Sequence, residues 1–359
     1  MPFNSQQPYN NLPPLPPEEE LETKAVLKKC TKAHAALAEL KGVATTIPNP
    51  AILIRSIGLQ EARLSSEIEN IVTTTDELYQ AFADTVESIN PAAKEVLRYF
   101  QALSAGVNKI DMQPILSTSL FCEIASTIKK TDMSVRKMPG TKIVDAIGKT
   151  IYTPPEGEDI IRIKLRDLEE FIHADSALDP LVRMAIVHYQ FEAIHPFTDG
   201  NGRTGRILNI LFLIQQGLLD LPILYLSRYL IEHKSTYYSG LRAITESGDW
   251  ESWILFLLDG IEETSISARQ RIVEIKAALE RTHALMKERI PKIASKDFVE
   301  LLFYHPYCKI RFIEEHLDVS RQTAAGYLKS LEEIGLLVGL KRGREMYFIN
   351  KPLLEILAK

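Results

Sequence analysis

The stretch HPFTDGNGRTGR, residues 195–206, decides how the sequence around it is interpreted. It follows an apolar segment, Leu181–Ile194, that predicts a helix, and its second half opens another helix with RTGRILNILFLI. Gly200 and Gly202 lack a Cβ atom, so the backbone between the two helices can approach a ligand closely and adopt positive φ. Such a loop at the amino end of a helix offers unpaired N–H groups and a partial positive charge. The sequence therefore predicts a phosphate-binding loop.

Charged side chains in the same stretch supply further groups for phosphate chemistry. Arg203 and Arg206 lie three residues apart on the first helical turn, where both guanidinium groups can bind phosphate oxygens. Asp199 offers a hard carboxylate oxygen for Mg²⁺ on a di- or triphosphate. His195, at the end of the preceding helix, is a candidate general base near neutral pH. No GxxxxGK[ST] sequence occurs, so the P-loop class of nucleotide site is excluded.

These residues resemble the signature of the Fic family, HxFx(D/E)GNGRxxR, and every specified position is matched. The resemblance covers most of residues 18–288 and implies a mainly α-helical Fic core with a β-hairpin flap. It implies a protein adenylyltransferase, which moves AMP from ATP onto a Ser, Thr or Tyr hydroxyl of a target protein, or of itself, and releases pyrophosphate. ATP would be the co-substrate, Mg²⁺ the metal and a homodimer the assembly.

The resemblance also assigns roles to the residues of the loop. His195 would deprotonate the incoming hydroxyl, and Asp199 would bind Mg²⁺ between the α- and β-phosphates. The two arginines would hold the β- and γ-phosphates, and Phe197 would anchor the loop in the core. For His233 and Tyr237, which follow in a region that borders the adenine in relatives, a packing role is an equal alternative. The expected ATP-binding set is Gly200, Asn201, Gly202, Arg203, Thr204, Gly205, Arg206, His233 and Tyr237.

Residues 65–70, SSEIEN, resemble the inhibitory motif of the family, (S/T)xxxE(G/N), which Asn70 completes. Ser65 and Glu69 are i and i+4 on one helical face. Glu69 would lie near a helix carboxyl end, where the dipole disfavours an anion, so it gains from a cationic partner. The resemblance names Arg206 as that partner and implies that the pair blocks the γ-phosphate clamp. An exposed helical glutamate without this role is the alternative.

The rest of the chain divides into four predicted regions. Residues 1–17 are expected to form an extended arm that buries little, 18–110 a helical region with the inhibitory helix, 111–288 the Fic core and 291–359 a separate module. We expect the first helix to begin at the acidic run Glu18–Glu20 and to stop at Gly42. Two separate helices are expected at 250–258 and 261–288. The β-branched residues of Thr141–Pro155 predict a hairpin, with the flap near Ile147–Thr150.

Residues 291–359 predict three helices followed by a strand, the turn KRGR at 341–344 and a second strand. This is the order of a winged helix-turn-helix, for which DNA is a candidate partner. The excess of basic residues in this module is small, with eleven Lys and Arg against nine Asp and Glu. Dimerisation or target docking is therefore an equal alternative to DNA binding. The candidate contacts are Arg321, Gln322 and Thr323 on the last helix and Lys341, Arg342 and Arg344 on the wing.

Composition limits the remaining function classes. The chain has 359 residues, 45% hydrophobic and 25% charged, with a formal net charge of −5, which excludes a disordered chain and a global positive field for nucleic acid. Three dispersed cysteines make no disulfide framework or zinc site. Without a signal-like start or a long apolar run, we expect a cytoplasmic protein with no membrane partner. Two alternative functions stay open: a DNA-binding regulator that senses nucleotide, and removal of AMP at the same site.

Overall fold

The fold is mainly α-helical with two small antiparallel sheets, as the sequence predicts. The computed structural model describes residues 3–83, 90–144, 147–342 and 345–357. The amino-terminal part contains five helices: α1 Lys24–Ala44, α2 Pro50–Ile68, α3 Thr75–Ala83, α4 Pro91–Met112 and α5 Thr118–Lys129. The part that carries the loop follows: β1 Ile143–Val144, β2 Thr150–Tyr152, α6 Glu158–His173, α7 Pro180–Ile194, α8 Asn201–Gln215, α9 Leu226–Glu232, α10 Lys234–Ser247 and α11 Trp250–Arg289.

Helices α7 and α8 form the centre of this part, and the glycine-rich loop joins them. Both sequences are apolar around most of their circumference, and both helices are buried at nearly every position. Helices α2, α4 and α5 pack around α8, and α11 packs along α1. The loop is therefore fixed at both ends by core helices, while α2 brings its carboxyl end toward the loop.

Three helix boundaries differ from the sequence prediction. Helix α1 begins at Lys24 rather than Glu18, because the side chain of Thr23 accepts a hydrogen bond from the Val26 N–H and caps it. It continues past Gly42, which costs only about 1 kcal/mol inside a helix that packs along α11. Helix α11 is one continuous helix instead of two. Its Gly260 stays helical and lets the ring of Tyr229 pack against the backbone.

The expectation that residues 1–17 bury little is wrong for part of the described arm, residues 3–17. Leu12 and Pro17 are buried, and one backbone hydrogen bond, from the Tyr9 N–H to the Thr153 carbonyl, joins the arm to the segment after β2. The apolar residues between the prolines pack on the core, which outweighs the polar composition.

The predicted hairpin is present as β1 and β2, which pair antiparallel with Ile143 opposite Tyr152 and Val144 opposite Thr150. Residues 145 and 146 of the predicted hairpin lie outside the described residues.

The carboxyl-terminal module contains the predicted three helices and hairpin: a 3-10 turn Pro291–Ile293, α12 Lys296–Tyr304, β3 Tyr307–Cys308, α13 Ile310–Leu317, α14 Arg321–Glu333, β4 Leu337–Arg342, β5 Glu345–Asn350 and α15 Lys351–Leu357. The short strand β3, which the sequence did not predict, makes a sheet in the order β3-β5-β4. Ser320 caps α14, and its side chain accepts a hydrogen bond from the Thr323 N–H. Residues 343 and 344 of the wing turn, including Arg344, lie outside the described residues.

The module is attached to the helical core rather than tethered beside it. The Tyr307 hydroxyl donates to the Asp76 carboxylate, and Arg311 Nη2 donates to the Ala83 carbonyl at 2.8 Å. Helix α12 also packs against α2. Across the described ranges, none of the helices has the length and apolar character needed to cross a membrane.

Candidate active site

The glycine-rich loop is closed by its own residues. His195 ends α7 in the left-handed conformation with φ 49°, and its N–H donates to the Phe191 carbonyl at 3.0 Å. The Asn201 side chain accepts from the Phe197 N–H at 2.8 Å and donates to the Phe197 carbonyl at 2.9 Å. Phe197 is fully buried. The side-chain amide of Asn201 thus fixes the loop, and the backbone N–H of the same residue lies in the first turn of α8.

The first turn of α8 has the geometry that suits an anion. Residues 201–203 precede the first regular helical hydrogen bond, from the Thr204 N–H to the Gly200 carbonyl, so their own N–H groups have no carbonyl partner inside α8. A Cβ atom at Gly202 would collide with the carboxylate of Glu69, which places that carboxylate directly over the turn. The Thr204 hydroxyl donates to the Gly200 carbonyl at 2.9 Å and stabilises the turn from inside.

Glu69 forms an ion pair with Arg206. Its Oε1 lies 2.7 Å from Arg206 Nη2, and Arg206 also donates from Nε to the Ser65 hydroxyl at 2.8 Å and from Nη2 to the Ser65 carbonyl at 2.9 Å. Only 2% of the Arg206 side chain is exposed, against 35% for Glu69. Burial opposes ionisation, but the Arg206 charge outweighs it and lowers the pKa of the Glu69 carboxyl. Glu69 is therefore an anion in the position where a phosphate could bind.

The chain around Glu69 ends α2 at this position. Glu69 is the residue that follows the last helical residue, and Asn70 adopts the left-handed conformation with φ 62°. Asparagine tolerates this conformation better than most residues, which explains why the motif needs Gly or Asn there. Lys234 Nζ donates to the Ile68 carbonyl at 2.7 Å and binds the last turn of the helix.

Two more ion pairs bind the loop to α4 and α5. Arg203, with 2% of its side chain exposed, donates from Nη1 to Glu95 Oε1 at 2.6 Å. Asp199, with 59% exposed, lies 2.6 Å from Lys129 Nζ. Although burial opposes it, Lys129 lowers the pKa of the Asp199 carboxyl. Arg203 thus faces α4 in this structure, whereas Asp199 lies at the surface of the loop.

Arg136 fixes the backbone on either side of the candidate base. Its Nε donates to the His195 carbonyl at 2.8 Å, its Nη2 donates to the carbonyls of Pro155 and Ile194, and its own N–H donates to the Pro196 carbonyl at 2.9 Å. Burial first, and the Arg136 charge second, lower the pKa of His195 to about 4. The imidazole is therefore neutral at pH 7 and can accept a proton.

A cavity of about 520 Å³ opens beside the loop, within the size range of small-molecule sites. Of the residues predicted from the sequence, its lining includes Glu69, His195, Gly202, Arg206 and Tyr237. The Tyr237 hydroxyl lies 3.0 Å from His188 Nε2. Apolar walls come from the flap, α7 and α10, among them Ile143, Ile151, Tyr152, Tyr189 and Leu241.

Other predicted residues lie outside that lining. His233 Nδ1 lies 3.0 Å from the Tyr229 carbonyl, and its ring packs on the Tyr229 ring. Gly205 packs against the Glu192 carboxyl and the Phe191 ring. Gly200, Asn201, Arg203 and Thr204 form the loop and its first turn.

Sequence reasoning missed Glu95, Lys129, Arg136 and Glu192. The first three lie far from the loop along the chain and carry no motif of their own. Glu192 precedes His195 by one helical turn, lines the cavity, and has one buried carboxyl oxygen with no hydrogen-bond partner among the described residues. Burial raises the pKa of its carboxyl to about 7. A glutamate in the apolar α7 sequence is the one signal that could have been noticed.

Three family models match successive parts of the chain. The Fic/DOC family N-terminal model matches residues 27–108, the Fic/DOC family model matches 115–213, and the model of the SoFic-like protein adenylyltransferase C-terminal domain matches 278–353. The chain belongs to the Fic/DOC family. Within that family it has the C-terminal domain described for SoFic-like proteins.

Curated relatives match part of the chain. Protein adenylyltransferase fic-1 of Caenorhabditis briggsae is 34% identical over 115 residues, which cover 31% of this chain and 20% of that protein. Protein adenylyltransferase Fic of Drosophila willistoni is 29% identical over 151 residues, which cover 39% of this chain and 29% of that protein. The chain thus spans less than a third of the length of these relatives.

Solved structures share the fold. A Fic family protein from Desulfovibrio desulfuricans G20 superposes with a TM-score of 0.61 at 18% identity, over 95% of this chain and 98% of that one. Fic-1 (residues 134–508) from C. elegans superposes with a TM-score of 0.51 at 18% identity, over 70% of this chain and 73% of that one. At these identities the likeness establishes the fold.

Proposed function

We propose that the protein is an ATP-dependent protein adenylyltransferase held inactive by Glu69. The observation that carries the proposal is one cavity that brings together a neutral His195, the anion-binding first turn of α8 and the Arg206 guanidinium. These groups supply a base, a phosphate cradle and a cationic clamp. The curated relatives bear the same activity in their names.

In the proposed reaction, His195 takes the proton of a Ser, Thr or Tyr hydroxyl of the target. The hydroxyl oxygen attacks the α-phosphorus of ATP, the bond from that phosphorus to the bridging oxygen breaks, and pyrophosphate leaves. The first-turn N–H groups of α8 stabilise the charge that develops on the phosphate oxygens. Arg136 contributes by holding the His195 backbone in its left-handed conformation.

Mg²⁺ fits the residues at the loop. Among the described residues no three His, Cys, Asp or Glu side chains cluster around a single point, but Mg²⁺ commonly binds one carboxylate together with phosphates and water. Asp199 would hold the ion, because its carboxylate is more than half exposed and borders the phosphate cradle. When bound, Mg²⁺ neutralises charge on the phosphates. Lys129 neutralises Asp199 in the structure described here.

The proposed brake is competition for Arg206. The carboxylate of Glu69 lies over the same helical turn that would bind phosphate and pairs with the guanidinium that would hold the γ-phosphate. ATP can therefore reach a productive position only when Glu69 withdraws. The Glu69 side chain is partly exposed and follows the last residue of α2, so it can move without unfolding the helix.

The test is labelling of the protein, and of proteins in a cell lysate, with α-labelled ATP and Mg²⁺. Glu69→Gly is expected to increase labelling by at least about tenfold, since a vacated Arg206 can bind phosphate with a charge-assisted hydrogen bond. Glu67→Gly is the matched control, because Glu67 pairs with Arg63 outside the cavity and its loss should leave labelling unchanged. His195→Ala in the Glu69→Gly protein should abolish labelling.

Three results would contradict all or part of this proposal. If Glu69→Gly folds but labels no more than the wild-type protein, the brake is wrong. If His195→Ala binds ATP and neither it nor its parent transfers AMP, a nucleotide sensor replaces the enzyme. Release of AMP from labelled target by the wild-type protein, and not by Glu69→Gly, would instead favour removal of AMP, with Glu69 positioning water in the cavity it shares with His195.

DNA binding by the carboxyl-terminal module is a second proposal. Arg321 exposes 78% of its side chain at the start of α14, and Lys341 and Arg342 are exposed at the end of β4. Binding to random duplex that weakens steeply with salt would support it, and no binding at low salt would exclude it.

A further inference from the structure

The amino-terminal arm is bonded to the segment that leaves the flap. The Tyr9 N–H donates to the Thr153 carbonyl at 2.9 Å, and the Thr153 hydroxyl donates to the Ser5 carbonyl at 2.6 Å. The Glu156 N–H donates to Asn10 Oδ1 at 3.0 Å. Three hydrogen bonds thus connect residues 153–156, which follow β2, to an arm whose sequence carries no secondary-structure signal.

The same arm supplies aromatic rings to the cavity wall. The Phe3 ring stacks on Tyr152 with centroids 6.1 Å apart and planes at 20°, and Tyr9 packs edge-on against Phe3 at 5.5 Å. Phe3 lines the cavity together with His195 and Arg206. The Tyr152 hydroxyl donates to the Ala193 carbonyl at 2.8 Å, two residues before His195. The wall formed by Phe3 and Tyr152 is therefore bound directly to the end of α7.

On its inner side the same segment is held by Arg136, whose Nη2 donates to the Pro155 carbonyl while its Nε donates to the His195 carbonyl. The segment from Tyr152 to Glu156 consequently has two supports. Arg136 connects it to the catalytic loop, and the arm connects it to the outside of the flap. Without the arm, the hydrogen bonds and ring contacts on the outer side would be lost.

We propose that the first part of the arm, residues 3–10, belongs to the nucleotide site: it holds the segment after the flap in place, and the Phe3 ring closes the cavity beside Tyr152 against a flat heterocyclic base. This inference rests on the proposed function, because it takes ATP as the ligand. Stacked rings suit the base of a nucleotide, since aromatic faces pack favourably at these separations. The arm acts on binding and positioning, whereas proton transfer stays with His195.

The test compares three single variants in the Glu69→Gly protein, whose Arg206 is available to ATP. Phe3→Ala removes the ring, Asn10→Ala removes the acceptor of the Glu156 N–H, and Asn11→Ala changes an exposed neighbouring asparagine as the matched control. Phe3→Ala should weaken binding of Mg·ATP, measured by calorimetry, about 2- to 10-fold. It should raise KM for ATP by a similar factor with kcat unchanged within about twofold, the pattern of a lost contact that contributes equally in the ground state and the transition state.

Asn10→Ala should increase hydrogen exchange of the Glu156 amide about five- to tenfold, because one hydrogen bond of ordinary strength is lost. Asn11→Ala should alter neither ATP binding nor exchange. An unchanged ATP affinity in Phe3→Ala, or a higher rate of transfer in either arm variant, would overturn the inference, the second by showing that the arm inhibits. If the Glu69→Gly parent itself binds no ATP, the proposed function fails first, and the exchange result still tests whether the arm supports the flap.

Discussion

Replacing Glu69 with glutamine should destabilise the protein and, at the same time, increase its response to ATP. Glu69→Gln keeps the size of the side chain but leaves the Arg206 guanidinium, 2% exposed, without the carboxylate that lies 2.7 Å away. Breaking a fully buried pair costs about 3–5 kcal/mol. Because 35% of the Glu69 side chain is exposed and both hydrogen bonds from Arg206 to Ser65 remain, we expect Glu69→Gln to lower the free energy of unfolding by about 1–3 kcal/mol.

The measurement is thermal unfolding with and without Mg·ATP. Without nucleotide, Glu69→Gln should melt about 2–5 °C below the wild-type protein. With Mg·ATP it should recover more than the wild-type protein gains, because the triphosphate replaces the missing anion without displacing a carboxylate. Glu67→Gln, in the partly exposed pair with Arg63, should shift melting by less than about 1 °C. A variant that melts at or above the wild-type temperature, or equal shifts with Mg·ATP, would refute the competition between Glu69 and phosphate.

Three further outcomes follow from the environment of the cavity. Arg136→Lys should lower kcat about 10- to 100-fold in the Glu69→Gly protein, because an ammonium cannot reproduce the hydrogen bonds to His195 and Pro155; steady-state kinetics at saturating ATP measure this. Because the pKa of His195 is lowered to about 4, transfer should be flat from pH 8 to about 5.5 and fall below it. The stability that the neutral imidazole contributes should be complete above pH 6.5 and lost as the pH falls toward 4. Melting temperatures measured across this range test this expectation. Because burial raises the pKa of Glu192 to about 7, the protonated carboxyl contributes stability that is complete below the usual glutamate pKa of about 4.5 and lost as the pH rises through 7. Glu192→Gln should therefore melt above the wild-type protein at pH 8.5 and close to it at about pH 4.5.

The loop could be predicted from the sequence because its determinants are local. Gly200 in the left-handed region and the start of α8 at Asn201 depend on residues within twelve positions of one another. The partner of Arg206 lies 137 residues away, and only the resemblance to a family motif pointed to Glu69. Periodicity could place Ser65 and Glu69 on one helical face, but it could not say which helix that face would meet.

The residues that support the loop could not be predicted, because tertiary packing alone brings them there. Arg136 lies in a segment without regular structure and Lys129 ends α5, so neither position carries a local signal. The arm was misjudged for a similar reason. Its prolines and asparagines suppress helix and strand propensity, but they do not prevent Leu12 from being buried or Asn10 from accepting a hydrogen bond.

The three ion pairs of the loop differ in how readily an anionic ligand can replace them. Arg203 is paired with Glu95, the fifth residue of α4, and the cations of Lys129 and Arg98 lie within 4 Å of the Glu95 carboxylate as well. Glu69 has Arg206 as its single ion-pair partner among the described residues, and the dipole at the end of α2 disfavours it. Under the proposed brake, an incoming triphosphate would therefore displace Glu69 before Glu95, and we expect activation to move the end of α2 rather than α4.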